Sequence, residues 1–374
     1  MDVTDLTPAA LAALAAPRPL PAVTVAVPTH RREPDSEQDR LWLKNLLGEA
    51  RRRIEADESL ARSDRLDVLG RLDKAVEEAD LRHAQDGLLL FAAPGEHQVW
   101  SIPRTVPARV VVSDTFLTRN LVAARAVHAP YWVLTLAAHR VRLWTGAGPD
   151  LAEARVAGFP QIPANPEKFD PQREERIGDT PNAYSNEDTK SFFREVDGAL
   201  AGLLKEDPRP VFLVGVPEAV SLFESVTSSH PSAAGRLEKG GLGDGPATAL
   251  APALAPVLSS YAAAQEAAAL ARLDQAASRK TLGAGLDEIW LAVTGGRVAE
   301  LVLEEHYQAT VLIADGHLEP APNPGGALGG AERDVREDVV DEIVERTLLA
   351  GGEVSFVADG ALTERQSIAA VLRY

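Results

Sequence analysis

Two runs of cationic side chains, His30-Arg31-Arg32 and Arg51-Arg52-Arg53, are the residues whose type and spacing best suit work on a partner. A guanidinium presents a rigid fork of donors that matches phosphate oxygens in pairs, so clustered arginines read as contacts to an RNA backbone. The same spacing also suits a solvated helix face, with Glu49, Glu55 and Glu58 near enough along a helix to pair with the second run. Other chemistry has less to stand on. The chain has no cysteine, which removes disulfides, thiolate nucleophiles, Cys-ligated zinc and iron–sulfur clusters. Its eight histidines form no His-Glu-x-x-His pair, Glu304-Glu305-His306 reads as a solvated element end, and no serine sits in a Gly-x-Ser-x-Gly turn. No metal and no cofactor is expected, and binding is favoured over catalysis.

The composition is that of a folded chain. Its 374 residues exceed what one hydrophobic core usually organises, and three domains is the working number. Hydrophobic residues at 45% and charged residues at 25% lie far from the range of disordered chains. A net charge of -17 argues against loose, charge-driven coating of nucleic acid. That charge is uneven: residues 281–374 hold 17 acidic against six basic residues, while residues 1–126 hold 19 against 17. The acidic last third reads either as a well-solvated surface or as a face for a basic partner protein. Asp2 and Asp5 stand where a secretion signal would be basic, so the first sixteen residues read as a short helix. No run approaches the roughly eighteen apolar residues of a membrane span, Leu88 to Ala93 and Val257 to Leu273 being short or broken. A soluble, cytoplasmic protein without a membrane partner is expected, and the lack of cysteine fits a reducing compartment.

Periodicity supplies the elements that must position the arginines. Valines alternate from Ala22 to Val27 as in a half-buried strand, two amphipathic helices follow over Leu41–Leu60 and Arg65–Ala84, and short strands close at Leu88–Ala92, Gln98–Ile102 and Arg109–Val112. Beyond Pro130 a hairpin is predicted at Tyr131–Ala137 and Arg140–Thr145, then a strand near Ala152–Val156. Residues 158–186 are rich in proline and charge without periodicity, and a loop of that length is usually functional or mobile. Helix resumes at Asp188–Leu204, strand at Val211–Val216 and helix at Glu218–Ser225. Pro231–Pro246 reads as Gly-rich loop and Ala247–Arg279 as an Ala-rich helix interrupted at Pro252 and Pro256. The remainder alternates: helices Leu286–Thr294 and Val335–Leu349, strands Val298–Leu303, Thr310–Ala314, Glu353–Ala358 and Ser367–Leu372, with a Pro/Gly-rich excursion at Asp315–Gly330.

Three sets of motifs lie on this frame in order. The first comprises Pro28-Thr29-His30-Arg31 closing a strand, Lys44-Asn45-Leu46-Leu47 inside a helix, and Asp86-Gly87-Leu88 leading into Phe91. The second comprises Tyr131-Trp132-Val133-Leu134, Arg140-Val141-Arg142-Leu143 and Phe192-Phe193-Arg194-Glu195-Val196-Asp197. The third comprises Gly351-Gly352-Glu353-Val354 and the ending Ile368-Ala369-Ala370-Val371-Leu372-Arg373-Tyr374. Together, over nearly the whole chain, they resemble the bacterial families related to archaeal and eukaryotic peptide-chain release factors and to the ribosome-rescue factor Pelota. The resemblance implies a mixed α/β chain of three domains. These are an N-terminal α/β domain over 17–126, a ribonuclease-H-like middle domain over 127–280 with its long loop at 158–186, and a small C-terminal α/β domain over 281–374. The last is similar to RNA-binding ribosomal proteins and is where release factors recruit a translational GTPase. Association with ribosomes is implied as well.

One departure bears on activity. Release factors hydrolyse peptidyl-tRNA with a Gly-Gly-Gln tripeptide on the middle domain, and that tripeptide occurs nowhere in this chain. Related tRNA-cleaving factors carry Gly-x-x-Gln, which Gly158-Phe159-Pro160-Gln161 matches, making Gln161 a weak catalytic candidate. Gly95-Glu96-His97-Gln98 matches equally well in the wrong domain, so coincidence is the competing reading. Two-metal phosphodiester cleavage needs converging carboxylates, and Tyr131 to Thr145 contain none. The expectation is a non-catalytic, ribosome-associated factor of rescue, stalling or dormancy. The alternatives are an enzyme cleaving tRNA or peptidyl-tRNA through the 158–186 loop, and an interaction module that has left the ribosome.

Overall fold

Valines at every second position make β1 (Ala22–Pro28) a strand, and Val23, Val25 and Val27 all turn into one core while Ala22 and Ala26 enter another. The computed structural model describes residues 1–31, 36–164, 187–227, 233–321 and 335–374. The chain divides into two compact units, Met1–His128 with Glu266–Tyr374, and Ala129–Gln265.

In the first unit β1 pairs antiparallel with β2 (Gly87–Ala93) and β4 (Arg109–Ser113), and β3 (Glu96–Ile102) completes the order β3-β2-β1-β4. Helix α1 (Pro8–Ala15) precedes this sheet. Helix α2 (Glu37–Ala56) starts where the Ser36 hydroxyl accepts from the Asp39 amide, and it buries Leu43, Leu46, Ala50 and Ile54 at helical spacing. With α3 (Arg62–Glu78), which buries Val68, Leu72 and Ala75, it covers the valine face. The opposite face packs Phe91, Trp100, Phe116 and Leu121, the last from α4 (Arg119–Val127). Helix α4 was not predicted: its buried residues include Arg119, whose guanidinium is met by Asp338 and the Tyr307 carbonyl far along the chain.

The second unit begins with a meander of β5 (Pro130–Ala137), β6 (Arg140–Ala147) and β7 (Asp150–Ala154). After α5 (Glu187–Glu206) comes β8 (Val211–Gly215), parallel to β5, and after α6 (Pro217–Val226) comes β9 (Gly235–Glu238), parallel to β8. The order β7-β6-β5-β8-β9, with only β6 reversed, is the ribonuclease-H-like topology. Phe192, Phe193, Val196 and Leu200 of α5 fill one side of the sheet, as their spacing predicts. Strand β9 lies inside the predicted Gly-rich loop. Gly235 sits flush against Phe212, a close approach no local pattern announces. Of the loop at 158–186, residues 165–186 lie outside the described ones.

Helix α7 (Ala247–Arg279) runs through Pro252 and Pro256 without a break, contrary to the expected interruption. By length and composition it could also cross a membrane, so the expectation that no segment qualifies is corrected. Its apolar residues have other work: Leu250 and Leu254 sit in the core of the second unit, and Ala269 and Leu273 in a core of the first.

The rest of the first unit holds β10 (Leu282–Ala284), α8 (Leu286–Thr294), β11 (Val298–Glu304), β12 (Val311–Ala314), β13 (His317–Pro320), β14 (Val335–Arg336), α9 (Val339–Leu349), β15 (Glu353–Val357) and β16 (Ile368–Leu372). The main sheet runs β10-β16-β11-β15 and a small one β13-β12-β14. Helices α8 and α9 cover one face of the main sheet, and Ala269 and Leu273 of α7 cover the other. The predicted helix at Val335–Leu349 begins only at Val339, because Val335 and Arg336 pair with β12. Part of the expected excursion at Asp315–Gly330 is β13, while residues 322–334 are outside the described ones. The architecture is mixed α/β.

Gly87 anchors the start of β2, where a Cβ would lie 2.5 Å from the Arg104 carbonyl oxygen. That carbonyl is backbone and the Ile102 and Val106 side chains close in at 3.1 and 3.3 Å, so Gly87→Ala should cost about 1–3 kcal/mol, read as a lower urea midpoint. An unchanged midpoint would show that the strand can shift.

Candidate functional site

The cationic candidates do not form one patch. His30 leaves the end of β1 and is held to the first turn of α2: its Nδ1 lies 2.6 Å from Oδ1 of the buried Asp39, whose other oxygen accepts the His30 amide. Arg31 reaches Gln85 at 3.2 Å and Asp86 at 3.8 Å. Arg32 lies outside the described residues. On α2, Arg51 pairs with Asp73 of α3. Arg53 pairs with Glu337 and donates to the Val110 carbonyl at 2.9 Å. These partners are not the glutamates named from spacing.

Arg52 is exposed and makes no ion pair among the described residues. Helical geometry at 3.6 residues per turn sets Arg52 on one face with Gln38, Trp42 and Asn45, away from Leu43, Leu46 and Ile54. Trp42 is 38% exposed and neighbouring Leu41 56%. At 1.5 Å rise per residue Asn45 and Trp42 lie about 10 and 15 Å along the axis from Arg52, so this face offers an indole for stacking and an amide and guanidinium for hydrogen bonding at separate points along an RNA strand. The sequence signal was present, since Leu41 and Trp42 fall off the buried stripe of α2.

The middle sheet carries little acid–base chemistry. Glu153 on β7 is gripped by Arg142 through two contacts of 3.0 and 2.9 Å, and those hydrogen bonds hold its carboxyl below the usual range. Arg142 also lies over the Trp144 ring at 4.2 Å and donates to the Gly243 and Gly245 carbonyls. Among the described residues, no group of three or more His, Asp or Glu side chains is placed to hold a metal. Gln161 exchanges both backbone hydrogen bonds with Val141, each 2.9 Å, so its main chain extends the edge of the sheet beside β6.

The densest electrostatics lie where α4 meets α9. Asp341 accepts the amides of Thr118 at 3.2 Å and Arg119 at 2.6 Å, a carboxyl group at a helix N-terminus. Glu345 accepts the Thr118 hydroxyl at 2.6 Å. Asp338 takes Arg109 at 2.9 Å and Arg119 at 3.5 Å, and Arg119 also donates to the Tyr307 carbonyl. Asp338, Asp341 and Glu345 are all buried. Burial, then the neighbouring Asp338, pushes Asp341 up to about 7. Burial, then Asp341, pushes Glu345 up to about 9. Burial also raises Glu342, against the pull of Arg336 and Arg346.

Both principal groups bind protons more tightly in the folded state than at their ordinary values of 3.8 and 4.5. Their stabilising contribution is therefore complete in acid below those values and is lost as pH rises through about 7 and about 9. The melting temperature should fall between about pH 6 and pH 9, and Glu345→Gln, which cannot ionise, should flatten that fall. Equal slopes in variant and wild type would remove Glu345 from the account.

Residues 130–297 match the model of bacterial archaeo-eukaryotic release factor family 3. No curated protein matches the chain. Among solved structures, an archaeal translation termination factor is 16% identical, with 97% of this chain and 95% of that one covered and a TM-score of 0.25. Archaeoglobus fulgidus Pelota is 17% identical, with 77% and 79% covered and a TM-score of 0.35. S. cerevisiae Dom34, described as a translation termination-like factor interacting with Hbs1, is 11% identical, with 77% and 79% covered and a TM-score of 0.41. Residues 130–297, which take in the ribonuclease-H-like sheet, are thus similar to bacterial archaeo-eukaryotic release factor family 3.

Proposed function

We propose that this protein associates with ribosomes and uses a release-factor scaffold without hydrolysing peptidyl-tRNA, in rescue, stalling or dormancy. The observation that carries the reading is the family match over a chain with no Gly-Gly-Gln. The backbone pairing of Gln161 supports it too, because a glutamine held at a sheet edge is poorly suited to reach into a distant catalytic centre. A cytoplasmic setting follows from ribosome association. The acidic C-terminal part is the proposed meeting place for a translational GTPase or another basic protein.

Of the N-terminal cations, the proposal assigns RNA contact to Arg52 and Arg31, with Trp42 and Asn45 further along the same face of α2 as Arg52. His30, Arg51 and Arg53 keep close structural partners, whereas Arg31 has only the longer contacts to Gln85 and Asp86. The protein should co-sediment with ribosomes, and Arg31→Ala with Arg52→Ala should weaken that association and lower its salt dependence by about one unit of log–log slope per lost phosphate contact. Arg53→Ala should instead lower the melting temperature. Failure of the wild-type protein to co-sediment would favour an interaction module that has left the ribosome.

Activity gives an independent check. Purified protein added to ribosomes carrying peptidyl-tRNA should release no peptide and cut no tRNA. Release or cleavage that disappears in Gln161→Ala would turn the assignment toward an enzyme.

A further inference from the structure

A cleft of about 690 Å³ opens on the last sheet, between the final turns of α7 and the starts of β11 and β15. It is lined by Arg272, Arg279, Thr281, Glu300, Glu353 and Arg373, among others. Its volume lies in the range of small-molecule sites.

The arginines are unusual for their surroundings. In residues 281–374, where carboxylates outnumber cations, Arg336 and Arg346 pair with Glu342 and Arg365 pairs with Asp274. In the cleft, Arg272 is also committed: it forms a two-pronged contact with Glu300 at 2.6 and 2.7 Å, and Ser355 braces the same carboxylate at 3.0 Å. Arg279 and Arg373 have no carboxylate partner among the described residues. Arg373 uses one nitrogen on the Ala350 carbonyl at 2.8 Å, which steadies the side chain while leaving its charge uncompensated. The last carbonyls of α7 do not compete for that charge, since Ala276 and Ala277 accept the amides of Thr281 and Lys280.

Two uncompensated guanidiniums, with between them in sequence the Thr281 hydroxyl, which has only a long 3.4 Å bond to the Ala276 carbonyl to give up, make a donor set for phosphate oxygens. Glu353 on the same wall supplies an acceptor suited to sugar hydroxyls, and the lining has no aromatic ring on which a base could stack. We propose that this cleft binds the phosphate and ribose of a ribonucleotide, held by Arg279, Arg373 and Thr281, with Glu353 facing the sugar. The assignment does not depend on ribosome association. The same chemistry is offered by a free ribonucleotide and by an RNA backbone.

The test uses the full chain, a fluorescent single-stranded ribo-oligonucleotide and unlabelled adenosine 5′-monophosphate as competitor. Wild-type protein should bind the oligonucleotide, and Arg279→Gln with Arg373→Gln should weaken binding about tenfold or more at an unchanged circular dichroism spectrum. Competition by the monophosphate assigns the site to free nucleotides, and its absence assigns it to RNA; both keep the proposal. Thr281→Val gives a milder variant, expected to weaken binding without loss of fold should the double variant be unstable. Wild-type protein that binds neither probe overturns the proposal. So does binding unchanged in folded double-variant protein, or unchanged in Thr281→Val if the double variant does not fold.

Discussion

The contact on which the first unit depends is a carboxylate buried at the start of a helix: Asp341 of α9 accepting the amides of Thr118 and Arg119. Taking a carboxylate out of water costs several kcal/mol unless donors replace the lost hydration. Here the unsatisfied amides at the N-terminus of α4 are the donors, so each element meets the other's need. Thr118 binds Glu345, Arg119 reaches Asp338 and Tyr307, and Val122 packs on the C-terminal core. Residues more than two hundred positions apart are thereby one structure.

That junction also accounts for where the cations of the first third are spent. Arg53, Arg104 and Arg109 all reach the last third, meeting Glu337, Glu305 and Asp338. The acidic excess of residues 281–374 is in part the complement of these arginines. Net charge alone, read as a docking face for a basic partner, overlooks this internal pairing. Among the described residues, the cations without a carboxylate partner include Arg52 on α2 and Arg279 and Arg373 of the C-terminal cleft.

The middle unit makes the complementary point about chemistry. A ribonuclease-H-like sheet supports metal-dependent cleavage only when carboxylates converge on its central strands. Here β5 and β6 carry Trp132, Thr135, Arg142 and Trp144 instead, and the nearby Glu153 is neutralised by Arg142. The sheet is filled as a packing scaffold, with Trp144 hydrogen-bonded to Thr135 at 3.2 Å in its interior.

Much of the fold was legible in the sequence because it rests on local periodicity. The valines of β1, the spaced leucines of α2 and α3, and the Phe192–Leu200 stripe of α5 declare a buried face within a few residues. The absence of Gly-Gly-Gln and of carboxylates on the first middle strands is likewise a matter of residue identity. Elements defined by distant partners were not legible: α4 with its buried polar residues, β9 against Phe212, and the late start of α9. The same holds for the arginines. Their clustering in sequence could not say that Arg53 faces Glu337 while Arg52 faces solvent, nor that Arg279 and Arg373 share a cleft. Local pattern determines which side of an element is buried; only the tertiary structure decides which charges meet, because an ion pair is set by distance in space and not along the chain.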